Sequence, residues 1–289
     1  MKIIDSYFYA LKEISFFVKN RIESEAETEL IFGSNKFKEY FGRSIPKIDI
    51  FGRHSDLILE KNIVTFIDEI IKERSKGIPI QYILDEAWFY GHKFHVYIDN
   101  TNKSLIPRNE TELIVQEALK YIEKNKLGKT SAIDIGTGSC CIPISIILNS
   151  KKNIIFDSID PYTYEVAKKN IMEHSLNNFI TLYKCGIDDI LTNFNQKYDI
   201  VTANLPYISE KNKIEELRFE PNQALYAENE GLFFIKKLIK IIPKILKKGG
   251  IVLLEIDPSL TNYFENLTMF NIKIIKDLNN FNRVIELKM

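Results

Sequence analysis

The chain has 289 residues, 45% of them hydrophobic and 27% charged, which fits one large or two smaller globular domains. Lys+Arg and Asp+Glu balance at 39 each, so the composition argues against a protein built around phosphate contacts with nucleic acid. The three cysteines form no C-x-x-C pair, which disfavours a disulfide framework or a cysteine metal site. The N-terminus is unlike a signal peptide, and no apolar stretch approaches the ~20 residues that span a bilayer. We therefore expect a cytoplasmic protein without a membrane partner.

The first 85 residues predict a small helical domain. Apolar residues recur every three or four positions from Ile3 to Val18 and from Ser55 to Ile71, which is the spacing of amphipathic helices. Ser55 and Asp56 are expected to cap the later helix. The segment FGSNKFKEYFG predicts a short helix between two glycine breaks.

Residues 86–105 predict a β-hairpin linker, because aromatic and β-branched residues surround Gly91. The catalytic domain is expected to occupy residues 106–289. Its first helix follows LIPRNETEL, with Asn109 as the predicted N-cap and Glu112 as the capping-box partner.

From Ser131 onward, short apolar strands alternate with helical segments, which predicts a doubly wound, mostly parallel α/β sheet. The last two strands, FNIKIIKDL and NRVIELKM, are joined so closely that they must be antiparallel. One reversed strand distinguishes this sheet from a plain dinucleotide-binding fold.

A nucleoside cofactor is predicted at the start of this alternating region. In AIDIGTGS, Gly136, Thr137 and Gly138 form a tight loop after a strand, where a ligand can approach the backbone. Asp160 ends the next strand, where a carboxylate can accept hydrogen bonds from both ribose hydroxyls. The loop alone is weak evidence, but the loop together with the acid is much stronger.

The form of the loop favours S-adenosylmethionine over a pyrophosphate cofactor. Cys140 stands where a third glycine often falls, and Asp134 gives the D-x-G-x-G form in which no phosphate needs to be held. We expect Asp134 near the methionine part of the cofactor. Asp188 is expected to accept from the adenine amino group, although a solvated loop acid is an equally good interpretation of Asp188 alone.

NLPY, after the fourth strand, is predicted to hold the substrate atom that reacts, because ligands bind at the carboxyl edge of open α/β sheets. The Asn204 side chain and the neighbouring carbonyl of Leu205 can together hold a planar nitrogen. Pro206 stiffens the turn, and Tyr207 is expected to form a wall of the site. His92 and His95 suggest no metal site, since their odd spacing on a strand points them to opposite faces.

With these motifs the chain resembles the HemK/PrmC family of release factor glutamine N5-methyltransferases. NLPYI is similar to the family's N-P-P-Y active-site motif, LIPRNETEL to its IPRPETE segment, and FEPNQAL to its EP-x-x-AL segment. The sequence departs from the family at three positions, where Leu205 and Asn109 replace prolines and Cys140 replaces a glycine. It also departs after LLEI, where the family's glycine and glutamine are absent.

The resemblance implies a class I, Rossmann-like methyltransferase fold with seven strands, one of them antiparallel, after an N-terminal helical domain that docks the substrate. It implies methyl transfer from S-adenosylmethionine to the glutamine of the GGQ motif in class I release factors. Asn204, Leu205, Pro206 and Tyr207 would then be the catalytic residues and would contact the substrate together with Glu220. Asn204 would also contact the cofactor.

Three alternatives stay open at the level of sequence. The first is a nucleic-acid amino methyltransferase, such as an N6-adenine enzyme, which would require a basic surface and a base-flipping pocket. The second is a methyltransferase acting on a ribosomal-protein glutamine, although the ETE of residues 110–112 favours the release factor. The third is an inactive cofactor-binding module that only binds release factor. We expect a monomer without stable nucleic-acid binding.

Overall fold

The computed structural model describes residues 1–125 and 129–289 and divides into two compact units, Met1–Glu86 and Ala87–Met289. The helices of the first unit are α1 (Ile3–Ser15), α2 (Arg21–Gly33), α3 (Asn35–Phe41), α4 (Lys47–Phe51), α5 (Lys61–Ser75) and α6 (Ile80–Leu84).

The first unit is held together by the apolar faces of these helices. Ile3, Tyr7 and Ile14 follow the helical spacing on α1 and are buried against side chains such as Phe32 and Ile67. The short helix predicted between two glycines is α3, and it ends at Gly42 in the left-handed conformation.

The predicted cap of α5 is wrong. Its N-cap is Glu60, five residues after Ser55, and the first helical residue is Lys61. Asp56 instead accepts a hydrogen bond from Lys2 Nζ at 2.6 Å. Periodicity located the helix, but it begins only after residues 57–60, where Ile58 forms an isolated antiparallel bridge with Lys2.

The second unit begins with the predicted hairpin, β1 (Ala87–Phe89) paired antiparallel with β2 (His92–Phe94). Tyr90 and Gly91 connect the strands with φ values of 49° and 77°. Two successive positive φ angles belong to the type I′ turn that favours two-residue hairpins. Phe89 and Phe94 are buried in the core of the second unit.

The large sheet has seven strands in the order β10-β11-β9-β6-β3-β4-β5, and β11 runs antiparallel to both of its neighbours. This confirms the predicted sheet with one reversed strand. The strands are β3 (Lys129–Ile135), β4 (Asn153–Ile159), β5 (Ile180–Tyr183), β6 (Tyr198–Ala203), β9 (Leu246–Glu255), β10 (Asn271–Lys276) and β11 (Asn282–Lys288).

Helices and a small second sheet complete the unit. The helices are α7 (Glu112–Asn125), α8 (Cys141–Asn149), α9 (Tyr164–Glu173), α10 (Ile190–Asn193), α11 (Asn222–Leu225), α12 (Phe233–Ile245) and α13 (Thr261–Glu265). The short strands β7 (Ile208–Ser209) and β8 (Tyr226–Ala227) pair in parallel, which the sequence did not predict. None of the described helices is long and apolar enough to cross a membrane.

Apolar side chains cover both faces of the large sheet. On β3, Ile133 and Ile135 join one buried cluster, whereas Ala132 joins the other. Alternation of this kind follows from the period of two in a strand, and a sheet buried on both faces is typical of the doubly wound arrangement.

The predicted N-cap of α7 is also wrong. Asn109 opens a 3-10 turn, Asn109–Thr111, and its N-cap is Arg108. Glu112 does not close a capping box on Asn109. Its Oε1 accepts a hydrogen bond from the backbone N–H of Tyr90 at 2.8 Å, which ties the start of α7 to the hairpin.

The strand register brings the predicted site residues to one edge. Ile135 pairs with Ile159 on β4 and with Ala203 on β6. The residues that follow these three positions are Gly136, Asp160 and Asn204. They therefore leave the sheet side by side at its carboxyl edge.

We predict that Gly231→Ala destabilises the second unit strongly. Gly231 has φ +86°, and an added Cβ would lie 2.0 Å from the carbonyl oxygen of Tyr207. Gly249→Ala is the matched control, because Gly249 has φ +80° but open space around the added atom. The control should lose ~1–2 kcal/mol from backbone strain alone, and Gly231→Ala at least ~2 kcal/mol more. Urea unfolding measures both, and equal losses would contradict the close approach at Tyr207.

Candidate active site

A cavity of about 370 Å³ opens at the carboxyl edge of the sheet. This volume lies in the range of small-molecule sites. The predicted residues that line it are Gly136, Thr137, Gly138, Asp160, Asp188, Asn204, Leu205 and Pro206. Asp134, Tyr207 and Glu220 are not among its lining residues.

The glycine loop lies directly against the NLPY segment. Gly136 has φ +75°, and a Cβ built on it would lie 3.1 Å from Leu205 Cδ2 and 3.6 Å from the carbonyl oxygen of Asn204. Gly138 is also left-handed, with φ +55°. A side chain at Gly136 would therefore press on the residues proposed to hold the substrate.

Asp160 is nearly buried, and its carboxylate already accepts three backbone hydrogen bonds. Oδ1 accepts from the N–H groups of Tyr162 at 2.8 Å and Thr163 at 3.0 Å, and Oδ2 accepts from Gly138 at 3.1 Å. A carboxylate offers about four acceptor positions. Oδ2 therefore has room for one ribose hydroxyl, and a second would have to displace the Gly138 N–H.

Asp188 lies in the 3-10 turn Ile187–Asp189 and also lines the cavity. Its Oδ2 accepts from Lys237 Nζ at 2.5 Å, and its side chain is 71% exposed. Exposed ion pairs contribute little to stability. The carboxylate is thus accessible to a ligand's amino group at little energetic cost.

Asp134 lies beneath the cavity rather than in its wall. It is fully buried, and its Oδ1 accepts a hydrogen bond from Thr202 Oγ1 at 2.6 Å. Burial raises the pKa of its carboxyl group from 3.8 to about 6. Asp134 therefore contacts strand β6 beneath the site. It can affect cofactor binding only indirectly, through the glycine loop that follows it.

The Asn204 side chain belongs to a chain of hydrogen bonds. Its Nδ2 donates to Thr111 Oγ1 at 3.1 Å, and Thr111 Oγ1 donates to Glu255 Oε2 at 2.6 Å. The hydroxyl of Tyr207 donates to Glu255 Oε1 at 3.0 Å. The arrangement leaves Oδ1 of Asn204 as the carboxamide atom that can accept from a ligand in the cavity.

Sequence reasoning missed Thr111 and Glu255. Both are buried, and burial raises the pKa of Glu255 and of the Tyr207 hydroxyl. A signal for Glu255 was present, since it follows the apolar run GIVLL at the carboxyl edge of the sheet. Tyr207 was predicted as a wall of the site, but its hydroxyl is directed to Glu255.

Glu220 binds the segment from Lys103 to Arg108, which contributes to another wall of the cavity. It is buried, forms an ion pair with the guanidinium of Arg108 and accepts from the backbone N–H of Ile106 at 3.4 Å. Lys103 Nζ donates to the carbonyl of Phe219 at 2.5 Å. Because Lys103 and Arg108 line the cavity, Glu220 shapes it from behind.

Two departures from the family pattern have local structural consequences. Leu205 is 5% exposed and packs into the core beside the sheet. Cys140 takes the left-handed conformation, with φ 65°, immediately before α8. The positive φ at Cys140 explains why a glycine suits this position.

The residues present fit S-adenosylmethionine. The loop at Gly136 and Gly138 leaves space that side chains would fill, and the carboxylates of Asp160 and Asp188 suit a ribose and an amino group. Among residues 1–125 and 129–289, no group of three His, Cys, Asp or Glu side chains could hold a metal ion.

Comparisons with known proteins find related methyltransferases. The family described as "Ribosomal protein L11 methyltransferase (PrmA)" matches residues 114–208, less than half of the chain. A release factor glutamine methyltransferase of Mycoplasma mycoides subsp. mycoides is 36% identical over 68% of this chain and 70% of its own length. One from Thermodesulfovibrio yellowstonii is 31% identical over 84% of this chain and 88% of its own length.

The chain belongs to the family of release factor glutamine methyltransferases. A bifunctional methyltransferase of Rickettsia bellii is 30% identical over 77% of this chain, but the chain spans only 45% of that protein. A ribosomal protein L11 methylase structure from Lactobacillus delbrueckii subsp. bulgaricus aligns with a TM-score of 0.41 at 20% identity, over 63% of this chain and 78% of that one. As a member of this family, the chain is an S-adenosylmethionine-dependent methyltransferase.

Asp160→Asn is predicted to weaken cofactor binding about 10- to 100-fold, because a charged acceptor contributes ~1.5–3 kcal/mol per hydrogen bond. Calorimetric titration with S-adenosylhomocysteine measures the affinity. Asp157→Asn is the control, since Asp157 lies on the same strand and accepts from the Tyr198 hydroxyl at 2.7 Å, away from the cavity lining. If both variants lost affinity equally, Asp160 would have no special role in binding.

The buried Asp134 should make stability depend on pH. Its pKa is higher in the folded protein, about 6 against 3.8, so folding favours the protonated form. The free energy of unfolding should therefore fall as the pH rises from about 4 to about 6, by up to ~3 kcal/mol. Urea unfolding at several pH values should show this loss in the wild type relative to Asp134→Asn. Parallel pH profiles for the two proteins would contradict it.

Proposed function

We propose that this protein transfers the methyl group of S-adenosylmethionine to the side-chain amide nitrogen of the glutamine in the GGQ motif of class I release factors. Its relatives carry the name release factor glutamine methyltransferase, and they support this substrate. The observation that carries the proposal is the placement of the Asn204 carboxamide in the cavity, with its Nδ2 engaged by Thr111.

The substrate amide is a weak nucleophile, because its nitrogen lone pair is delocalised into the carbonyl. Asn204 Oδ1 and the backbone carbonyl of Leu205 accept the two amide hydrogens and hold the nitrogen in place. Alignment of this kind can lower the barrier by several kcal/mol. Both acceptors are fixed before the reaction, so they need little reorganisation.

S-adenosylmethionine, when bound, supplies an electrophilic methyl group on its sulfonium. Asp160 and the loop from Gly136 to Gly138 would hold the ribose side, and Asp188 would accept from the adenine amino group. Leu205 and Pro206 shape the wall beside the reacting nitrogen. Transfer would form the C–N bond as the carbon–sulfur bond breaks and leaves S-adenosylhomocysteine, and the nitrogen would then release one proton to solvent.

The helical unit Met1–Glu86 is proposed to dock the release factor. Several large apolar side chains on it are exposed, among them Phe8 at 51% and Ile48 at 80%, and exposed apolar side chains are common at docking surfaces. The monomeric state and the lack of stable nucleic-acid binding remain predictions. The balanced charge, 39 basic against 39 acidic residues, supports a protein substrate over a nucleic acid.

Asn204→Ala is predicted to lower kcat about 100- to 1000-fold, since a pre-positioned transition-state partner contributes ~3–4 kcal/mol. Binding of S-adenosylhomocysteine should stay within about threefold of wild type, because a neutral amide contributes less to affinity than the charged acceptor Asp160. The assay follows labelled methyl transfer to purified release factor. Asn222→Ala is the control, since Asn222 is exposed and outside the cavity lining.

A release factor with GGA in place of GGQ tests the substrate itself. Labelling of the wild-type factor alone supports the proposal. Labelling of ribosomal protein or nucleic acid in its place would favour one of the other methyltransferases, and binding of release factor without any labelling would favour the inactive module.

A further inference from the structure

We propose that Thr111 and Glu255 are positioning residues that lock the orientation of the Asn204 carboxamide and thereby make the site select an amide over a carboxylate. The inference rests on the proposed function and assigns the specificity of its site. Neither residue is needed as a proton donor or acceptor toward the substrate.

The argument begins with Glu255, whose side chain is buried at the carboxyl edge of the sheet. Two hydroxyl groups converge on it, Thr111 at 2.6 Å on Oε2 and Tyr207 at 3.0 Å on Oε1. An ionised Glu255 only accepts hydrogen bonds, so each of the two hydroxyls donates its single hydrogen to the carboxylate.

The hydrogen bond to Glu255 also decides the role of the Thr111 hydroxyl toward Asn204. With its proton directed to Glu255, Thr111 Oγ1 can only accept from any other partner. The Asn204 carboxamide lies 3.1 Å away and must present its NH₂ end to Thr111. Of the two orientations related by a flip of the amide, the network permits the one that keeps Oδ1 for the cavity.

This orientation decides which ligand the site accepts. Oδ1 of Asn204 and the carbonyl of Leu205 are both acceptors, which match the two hydrogens of a glutamine amide. A glutamate carboxylate in the same place would face two acceptors without a proton to share, and unpaired polar groups in a site reject such an analogue strongly. If Asn204 could flip, its NH₂ would face the cavity and donate to a carboxylate.

Thr111 and Glu255 are 144 positions apart, and the Thr111 hydroxyl links Glu255 to Asn204. Thr111 ends the 3-10 turn before α7, Glu255 ends β9, and Asn204 follows β6. Thr111 is also the middle residue of the ETE at 110–112. Thr111 is 3% exposed and lines the cavity beside Asn204.

The test compares Thr111→Val, which keeps the shape but removes the hydroxyl, with Thr111→Ser, which keeps the hydroxyl. Affinities for a GGQ fragment of release factor and for the same fragment with GGE are measured by calorimetry on enzyme loaded with S-adenosylhomocysteine. In Thr111→Val the preference for GGQ over GGE should shrink about tenfold, and kcat for labelled methyl transfer should fall about 10- to 100-fold. The reason is that the NH₂ group of Asn204 loses its acceptor. Thr111→Ser should keep both values within about threefold of wild type, and cofactor affinity should stay unchanged in both variants.

A second measurement needs no release factor. In protein labelled with ¹⁵N-asparagine, the side-chain NH₂ signal of Asn204, assigned from its absence in Asn204→Asp, should be protected from solvent exchange in wild type and Thr111→Ser. It should lose that protection in Thr111→Val, or in Thr111→Ala if the valine variant does not fold.

The outcomes separate the two proposals. A wild-type enzyme that methylates no release factor overturns the proposed function, while the NMR signal still decides the orientation of Asn204. If Thr111→Val keeps the wild-type preference for GGQ and the protected signal, or if the serine variant loses them as fully as the valine variant, the positioning role of Thr111 and Glu255 is wrong.

Discussion

The hydrogen-bonded register of the parallel strands is the constraint on which the site depends. Ile135 is paired with Ile159 on one side and with Ala203 on the other, and Ala203 is paired with Leu254 on β9. Parallel strands that end together must release their next residues at the same level. The glycine loop, Asp160, Asn204 and Glu255 therefore meet at one edge although they are far apart in the chain. A slip of one residue in any pair would turn that strand's polar end toward the opposite face.

Two kinds of interaction convert this alignment into a site. Close backbone packing holds the loops together, because Gly136 leaves space for Leu205 and Gly231 lies against the backbone of Tyr207. Buried hydrogen bonds then fix the polar groups, through Asp160 for the glycine loop and through Glu255 for Asn204. A buried carboxylate without such donors would cost several kcal/mol, so its partners are required for folding and orient the site at the same time.

The sequence predicted what depends on local pattern. The strands ending at Ile135, Ile159 and Ala203 are apolar runs bounded by polar or glycine residues, and their parallel pairing follows from the helices between them. Caps were harder to predict, because Asp56 and Glu112 form hydrogen bonds with distant parts of the chain in preference to their own helices. The network of Thr111 and Glu255 joins residues 144 positions apart, and periodicity carries no information about such a contact.

Leu205 shows how a departure from the family pattern can leave the chemistry unchanged. The group proposed to hold the substrate is its backbone carbonyl, which leucine and proline share. The leucine side chain instead points into the core and is 5% exposed, so it adds apolar burial where a proline would add backbone rigidity. Its Cδ2 lies 3.1 Å from the position that a Cβ on Gly136 would occupy, so a side chain at position 136 would press on the leucine, and the φ of +75° at Gly136 also favours glycine. Packing of the Leu205 side chain against the glycine loop thus joins the segment proposed to hold the substrate to the loop proposed to hold the cofactor.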